Sequence, residues 1–176
     1  LLHIPFAIEL LDSEGQSLPL VIDNQPQDSV LNVTEKTQQF VFEGIKQRPV
    51  AVLLEDFSAP CIVNQNTSAA ELLHIMRFAR SDFSRWDAQQ RLFTNEMKAA
   101  IASGEACLSD DILSALKLLV DNREGDLALI AELLKLPSYD TLAAEYAVIP
   151  VDDIIAVQNA FESQIANFLT ESLVNC

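Results

Sequence analysis

The apolar period of this chain changes once, near Val63, and that change constrains the fold more than any other feature of its 176 residues. Before it, Ile4, Phe6, Ile8 and Leu10 alternate with their neighbours, the period of two that puts every second side chain on one face of a strand. Asp12-Ser13-Glu14-Gly15 then supplies a turn, and short strand-like runs follow at 18–22, 30–34, 38–43 and 50–55. Short strands at regular spacing predict a small antiparallel β-sandwich over residues 1–63. After Val63 the steps become helical: Leu72, Met76, Ala79 and Phe83 form one stripe, and Trp86, Gln89, Phe93, Met97 and Ala100 form a second.

Gly104 ends that second stripe. Ser109 reads as an N-cap, with Asp110 and Asp111 in the first turn ahead of Ile112, Leu116 and Leu119. Gly125 separates this helix from one carrying Leu127, Ile130 and Leu134, which Pro137 stops. A short segment over 139–147 precedes Pro150, and Ile154, Phe161, Ile165, Phe168 and Leu173 mark a long last helix. Short links between amphipathic helices predict stacked antiparallel pairs, an all-α helical array over 64–176. The fold class expected is therefore α+β, with the two kinds of structure segregated along the chain.

Composition excludes several functions. A hydrophobic content of 49% supplies a sizeable core and argues against disorder. A net charge of -15, with only 11 Lys and Arg, argues against a nucleic-acid partner, because phosphate contacts need a positive stripe. It disfavours an anionic membrane surface as well, and no apolar run approaches the ~20 residues of a spanning helix. Cys61, Cys107 and Cys176 are too far apart for a zinc knuckle or a disulfide framework, so reduced thiols and a cytoplasmic location are expected.

Little in the residues points to chemistry. His74 on an apolar helix reads as a packed histidine, since no second ligand stands at helical spacing, and His3 says less. The doublets Asp110-Asp111 and Asp152-Asp153 read as complements to helix N-terminal dipoles rather than as acid/base pairs. Gly15, Gly44, Gly104 and Gly125 are too isolated for a phosphate loop, and no Gly-x-Ser-x-Gly elbow occurs. No residue is assigned as catalytic, cofactor-binding or metal-ligating.

The run Arg80-Ser81-Asp82-Phe83-Ser84-Arg85-Trp86-Asp87 is the densest in the chain, with alternating charges, two hydroxyls and two aromatics. It reads as a structural corner ahead of a helix. Ser81 or Ser84 is the N-cap, Asp82 and Asp87 suit the helix start, and the arginines fork onto those carboxylates. Trp86 follows Phe83 at the spacing that shares a helix face, and both are expected in the core.

Residues 79–88 of this run resemble the Ala-Arg-Asn-Asp-Phe-Ser-Arg-Trp-Asp-Ala segment of bacterial aminopeptidase N, the zinc-dependent gluzincin aminopeptidase family, with Ser81 in place of the usual Asn. Ile4-Pro5-Phe6-Ala7-Ile8-Glu9-Leu10, Ser29-Val30-Leu31-Asn32-Val33-Thr34 and Glu55-Asp56-Phe57-Ser58-Ala59-Pro60 resemble the same family, in its order. Beyond about Ile101 the likeness rests on helix spacing and on short marks such as Leu136-Pro137-Ser138.

The resemblance implies the end of the family's immunoglobulin-like β-domain over 1–63, without strand material that precedes Leu1, and the start of its C-terminal helical domain over 64–176. It implies a parent enzyme that removes N-terminal residues from peptides with zinc held by a His-Glu-x-x-His helix and a downstream Glu. Neither that motif nor the Gly-x-Met-Glu-Asn amine anchor is present, and Tyr139 and Tyr146 lack a recognisable catalytic context. The chain is thus expected to be inactive alone and to carry no cofactor. By the same resemblance it buttresses the catalytic domain and helps roof the active-site cavity, with the rest of the parent chain as partner and self-association through an exposed sheet edge. A stand-alone protein-interaction module built from the sandwich and the helical array is the other reading.

Overall fold

The computed structural model describes residues 3–122 and 126–174 and divides into two compact units, residues 1–88 and 89–176. In the first, strand β1 (Ile4–Leu11) lies between β4 (Val30–Val33) and β5 (Val50–Leu53), antiparallel to both. A second, two-stranded sheet pairs β2 (Val21–Ile22) with β3 (Gln25–Pro26). Asp23 and Asn24 close that hairpin with positive φ at both positions, the backbone that matches strand twist in a two-residue turn. The run 38–43 forms no described strand, although the Glu43 N–H still donates to the Val21 carbonyl.

Strand β1 is the hub because both of its faces are used. Its register places Phe6 opposite Leu31, Ile8 opposite Leu53 and Leu10 opposite Ala51, so the even-numbered side chains share one apolar face. Ile8, Leu10, Leu20 and Leu31 are its buried centre, with Phe6, Phe40 and Phe42 partly covered around them. A groove of about 540 Å³ opens beside this face, floored by Phe6, Ile8 and Leu53 and bordered by Phe42 and Ile62. Ile62 is 98% exposed. The odd-numbered face carries Ala7, Glu9 and the fully buried Leu11.

Helix α1 (Ala69–Phe78) packs near β5 and buries Leu72, Ile75 and Met76. The β1 turn is seated on this helix: His74 Nε2 lies 2.8 Å from the Asp12 carbonyl oxygen, and a Cβ added to Gly15 would come within 2.2 Å of the Phe78 ring. The helical stripe read through Phe83 breaks at Ala79, whose backbone is extended, before α2 (Asp82–Ser103) begins.

The second unit holds the rest of α2 with α3 (Asp110–Asp121), α4 (Leu127–Leu133), α5 (Tyr139–Ala143) and α6 (Val151–Val174). Helices α3 and α5 both pack on α6. Ser109, Asp126 and Ser138 cap α3, α4 and α5, and Gly104 ends α2 with positive φ while its N–H donates to the Ala100 carbonyl. Gly125 and Cys176 lie outside the described residues, as does the Leu173 side chain. Three glutamines hold irregular links against helices. Gln89, fully buried, donates to the Lys135 carbonyl; Gln158 donates to that of Pro137; and Gln164 accepts from the Leu108 N–H while donating to the Ala106 carbonyl. Each satisfies backbone groups that the short loops leave unpaired.

The start of α1 is a capping box. Ser68 Oγ accepts from the Glu71 N–H at 3.2 Å, and the Glu71 carboxylate accepts from the Ser68 N–H at 2.9 Å. The Ser68 N–H chiefly, then its hydroxyl, and weakly Arg48 against a desolvation cost, hold the Glu71 carboxyl below its ordinary value of 4.5. A lowered folded value contributes stability that is present above about 4.5 and is lost as pH falls through the lowered one. Denaturant melts should show Ser68→Ala losing about 0.5–2 kcal/mol at neutral pH. Glu71→Gln should shrink the loss of stability between about pH 4.5 and more acid values, and a slope there equal to that of the parent chain would refute this origin.

Candidate functional site

A buried charge network occupies the odd face of β1, where the sheet meets the segment between α1 and α2. Glu9 is 3% exposed. One of its oxygens accepts from the Ser17 hydroxyl and the other from the Arg80 N–H at 3.0 Å. The Arg80 guanidinium turns to a second buried carboxylate: Nε donates to Glu55 Oε1 at 3.0 Å and Nη2 to Oε2 at 2.8 Å, a two-pronged pair. Those bonds, foremost, raise the Arg80 pKa above its usual value. Arg80 therefore forks onto Glu55 and not onto Asp82 or Asp87. The reason is distance along the fold: Arg80 lies before the helix starts, facing the turn after β5.

That turn is unusual. Leu54, Asp56 and Phe57 all have positive φ around the one-turn 3-10 helix Glu55–Phe57, a left-handed backbone that residues with a side chain adopt reluctantly. It is clasped from three sides. Arg80 holds Glu55, the Ser81 hydroxyl donates to Asp56 Oδ1, and Ser58 Oγ accepts from the Ala7 N–H at 2.9 Å. Ser81 also accepts from the Ser84 N–H at 3.1 Å, which makes it the N-cap of α2. Arg85 donates to the Met76 carbonyl at 3.0 Å and stands 3.8 Å from Asp82. Its pKa is lowered, mainly by burial, with Asp82 acting in the opposite direction.

Trp86 and Phe83 are not in the core. They share a helix face as their spacing requires, with ring centroids 5.8 Å apart, but that face points outward: Phe83 is 41% exposed and Trp86 37%. Ser81 bound to Asp56 and Arg85 bound to Met76 fix the rotation of α2, and its inward positions go to Ser84 and Ala88. Phe57, 56% exposed, meets the edge of Phe83 at 6.0 Å and extends the row to three rings. The alternating-charge run signalled the corner. Nothing in it signalled Glu9, within the apolar strand β1, or Glu55, in the turn after β5, which make the network.

The other residues considered do not converge. His3 Nε2 pairs with Asn32 Oδ1 at 2.7 Å, and His74 is taken up by the Asp12 carbonyl and the Phe78 ring. Asp110-Asp111 and Asp152-Asp153 sit in the first turns of α3 and α6. Cys61 and Cys107 are free thiols. Among the described residues no group of three or more His, Cys, Asp or Glu is placed to hold a metal ion, and no helix is long and apolar enough to cross a membrane. What the site presents is a rigid aromatic surface.

An Ig-like sheet followed by helices defines a two-part class of protein, and comparison with known families divides the chain at the change from strand to helix, ahead of α1. Residues 1–66 match the family described as a domain of unknown function (DUF3458) with an Ig-like fold, and residues 69–176 match its companion, described as a domain of unknown function (DUF3458_C) of ARM repeats. The chain belongs to this family. It is 39% identical to aminopeptidase N of Escherichia coli and 37% identical to aminopeptidase N of Haemophilus influenzae, each over 98% of this chain and 20% of the relative. It is also similar to the crystal structure of Legionella pneumophila aminopeptidase A in complex with aspartic acid, with a TM-score of 0.79 and 26% identity over 98% of this chain and 20% of that one. The chain thus spans about one fifth of the length of the relatives it matches.

Replacing the Arg80 side chain leaves Glu55 buried without its two guanidinium bonds, while the residue-80 backbone N–H still donates to Glu9. Arg80→Met is expected to cost about 2–3 kcal/mol, below the usual range for a broken buried pair because the guanidinium reaches solvent. Glu55→Gln should cost less, since one amide oxygen still accepts from Arg80. Urea melts at neutral pH check both, and Arg80→Met within 0.5 kcal/mol of the parent chain, roughly the scatter of surface substitutions, would remove the network from its central place.

Proposed function

We propose that this chain is the Ig-like and first helical part of a zinc-dependent aminopeptidase that removes N-terminal residues from peptides. In that enzyme it buttresses the catalytic domain and contributes to the roof over the active-site cavity. The observation that carries this reading is the likeness to aminopeptidases over 98% of the chain, including the corner at 79–88 that the buried network builds. The donors here do not fit zinc: both histidines have other partners, and among the described residues no cluster of ligands surrounds either. The metal and the peptide chemistry are assigned to residues outside this chain. Free Cys61 and Cys107 fit a reducing cytoplasm. The acidic surface suits peptides with cationic N-termini through long-range attraction.

The three exposed aromatic rings favour one second reading, a stand-alone interaction module. Chromogenic aminoacyl amides separate the two. The 176-residue chain alone should show no turnover, with or without added zinc, while the longer polypeptide that contains it should be active and should lose activity when residues 1–176 are deleted. Turnover that copurifies with the short chain and vanishes in His74→Ala or Asp82→Asn overturns the reading, as does a longer polypeptide with no aminopeptidase activity.

The open groove on the even face of β1 leads to a second expectation. Its apolar floor and the adjacent edges of β4 and β5 suit a further strand from the longer polypeptide, and alone the chain is proposed to pair with another copy there. Light scattering should report dimers at high concentration, and a form extended upstream by one strand should be more stable by a few kcal/mol, at about 1.5–3 kcal/mol per buried side chain less ordering costs. Equal stability with a strictly monomeric short form would refute this.

A further inference from the structure

Phe57, Phe83 and Trp86 form a continuous row of exposed rings, with successive centroids 6.0 and 5.8 Å apart. Such a row costs the isolated chain solubility, and large aromatics left in water ordinarily mark a contact surface. This row is built rather than incidental. Phe57 is raised by a backbone with three left-handed residues, and that backbone is held by Glu55 on Arg80 and Asp56 on Ser81. Strain kept in place by a buried network is the usual mark of a functional surface. Rigid rings displayed in this way lose little entropy when a partner covers them.

We propose that the Phe57–Phe83–Trp86 row is the seat for an apolar, arginine-bearing surface of the longer polypeptide outside these 176 residues. The relatives matched here are about five times as long as the segment this chain spans, so ample surface lies outside it. Charge selects the chemistry. The chain carries -15, and Asp56 and Asp82, both exposed, are next in sequence to Phe57 and Phe83; Asp56 accepts from Ser81 and Asp82 stands 3.8 Å from Arg85, and each keeps a carboxylate oxygen for a cationic planar group stacked on the rings. A second copy of this chain has the wrong charge for that role, and so has an anionic lipid surface. The proposal goes beyond a general buttressing role by naming the face that makes the contact, and it rests on the reading that these residues belong to a longer aminopeptidase.

Hydroxyl-radical footprinting read by mass spectrometry tests it on the 176-residue chain and on the intact longer polypeptide. Trp86 is the single tryptophan of the 176 residues, so its oxidation is read without ambiguity. The rates at Phe57, Phe83 and Trp86 should fall by roughly tenfold in the longer polypeptide, as for rings in a desolvated interface. Asp82→Lys in the longer polypeptide should raise them again, and Trp86→Ala should lower its melting midpoint by more than it lowers that of the 176-residue chain, where the ring is already partly covered. Equal oxidation rates in the two forms overturn the proposal. Protection that appears in the short chain alone as its concentration rises assigns the row to a second copy and overturns it too, and rates indifferent to Asp82→Lys overturn the cationic partner. Activity is a separate readout. An active enzyme with unprotected rings refutes the seat but not the aminopeptidase, and protected rings in an inactive polypeptide do the reverse.

Discussion

The two-pronged bond from Arg80 to Glu55 is the interaction on which the first unit depends. Glu55 is 5% exposed, and a carboxylate at that depth is tolerated only when it is paired and hydrogen-bonded. The same arginine, through its backbone N–H, satisfies Glu9 in the middle of β1. One residue thereby ties the central strand, the turn after β5 and the entry to α2. Ser81, next in sequence, carries the second tie by donating to Asp56 while capping the helix. Two adjacent residues fix three elements, so little of the corner can move independently.

The serine at 81, in place of the Asn of the aminopeptidase N segment that residues 79–88 resemble, is conservative in this light. Both residues rank among the strongest N-caps, and both can offer a hydrogen to a carboxylate while accepting from the helix backbone. The corner needs a side chain that donates outward and accepts inward at that position, and serine meets both demands with one atom. Alanine meets neither.

What was legible in the sequence is what depends on local periodicity and capping. The alternation of Ile4 to Leu10, the caps at Ser81 and Ser109, and the break at Gly104 follow from rules that act over a few residues. What was not legible depends on rotation and on partners distant in sequence. The spacing of Phe83 and Trp86 fixes that they meet, and they do, but it leaves open which way their shared face turns. Ser81 with Asp56, 25 residues earlier, and Arg85 with the Met76 carbonyl decide that, and they turn the rings outward. Gln89 is buried as its place in the stripe requires, but its partner was not legible: Lys135, 46 residues on, presents a carbonyl to it. The expected strand at 38–43 gains one bond to Val21 and no ladder.

The left-handed turn shows how these terms combine. Positive φ at Leu54, Asp56 and Phe57 costs on the order of 1 kcal/mol or more per residue, and a relaxed turn of the same length would avoid it. A relaxed turn would also carry Glu55 and Asp56 away from Arg80 and Ser81. Charge-assisted bonds contribute roughly 1.5–3 kcal/mol each, so the bonds at Glu55 and Asp56 offset the strain only while Arg80 and Ser81 are both in place. Strain and network therefore stand or fall together. Phe57 is held in its raised position by this balance and not by contacts of its own core, which is why an exposed ring can be as well fixed as a buried one.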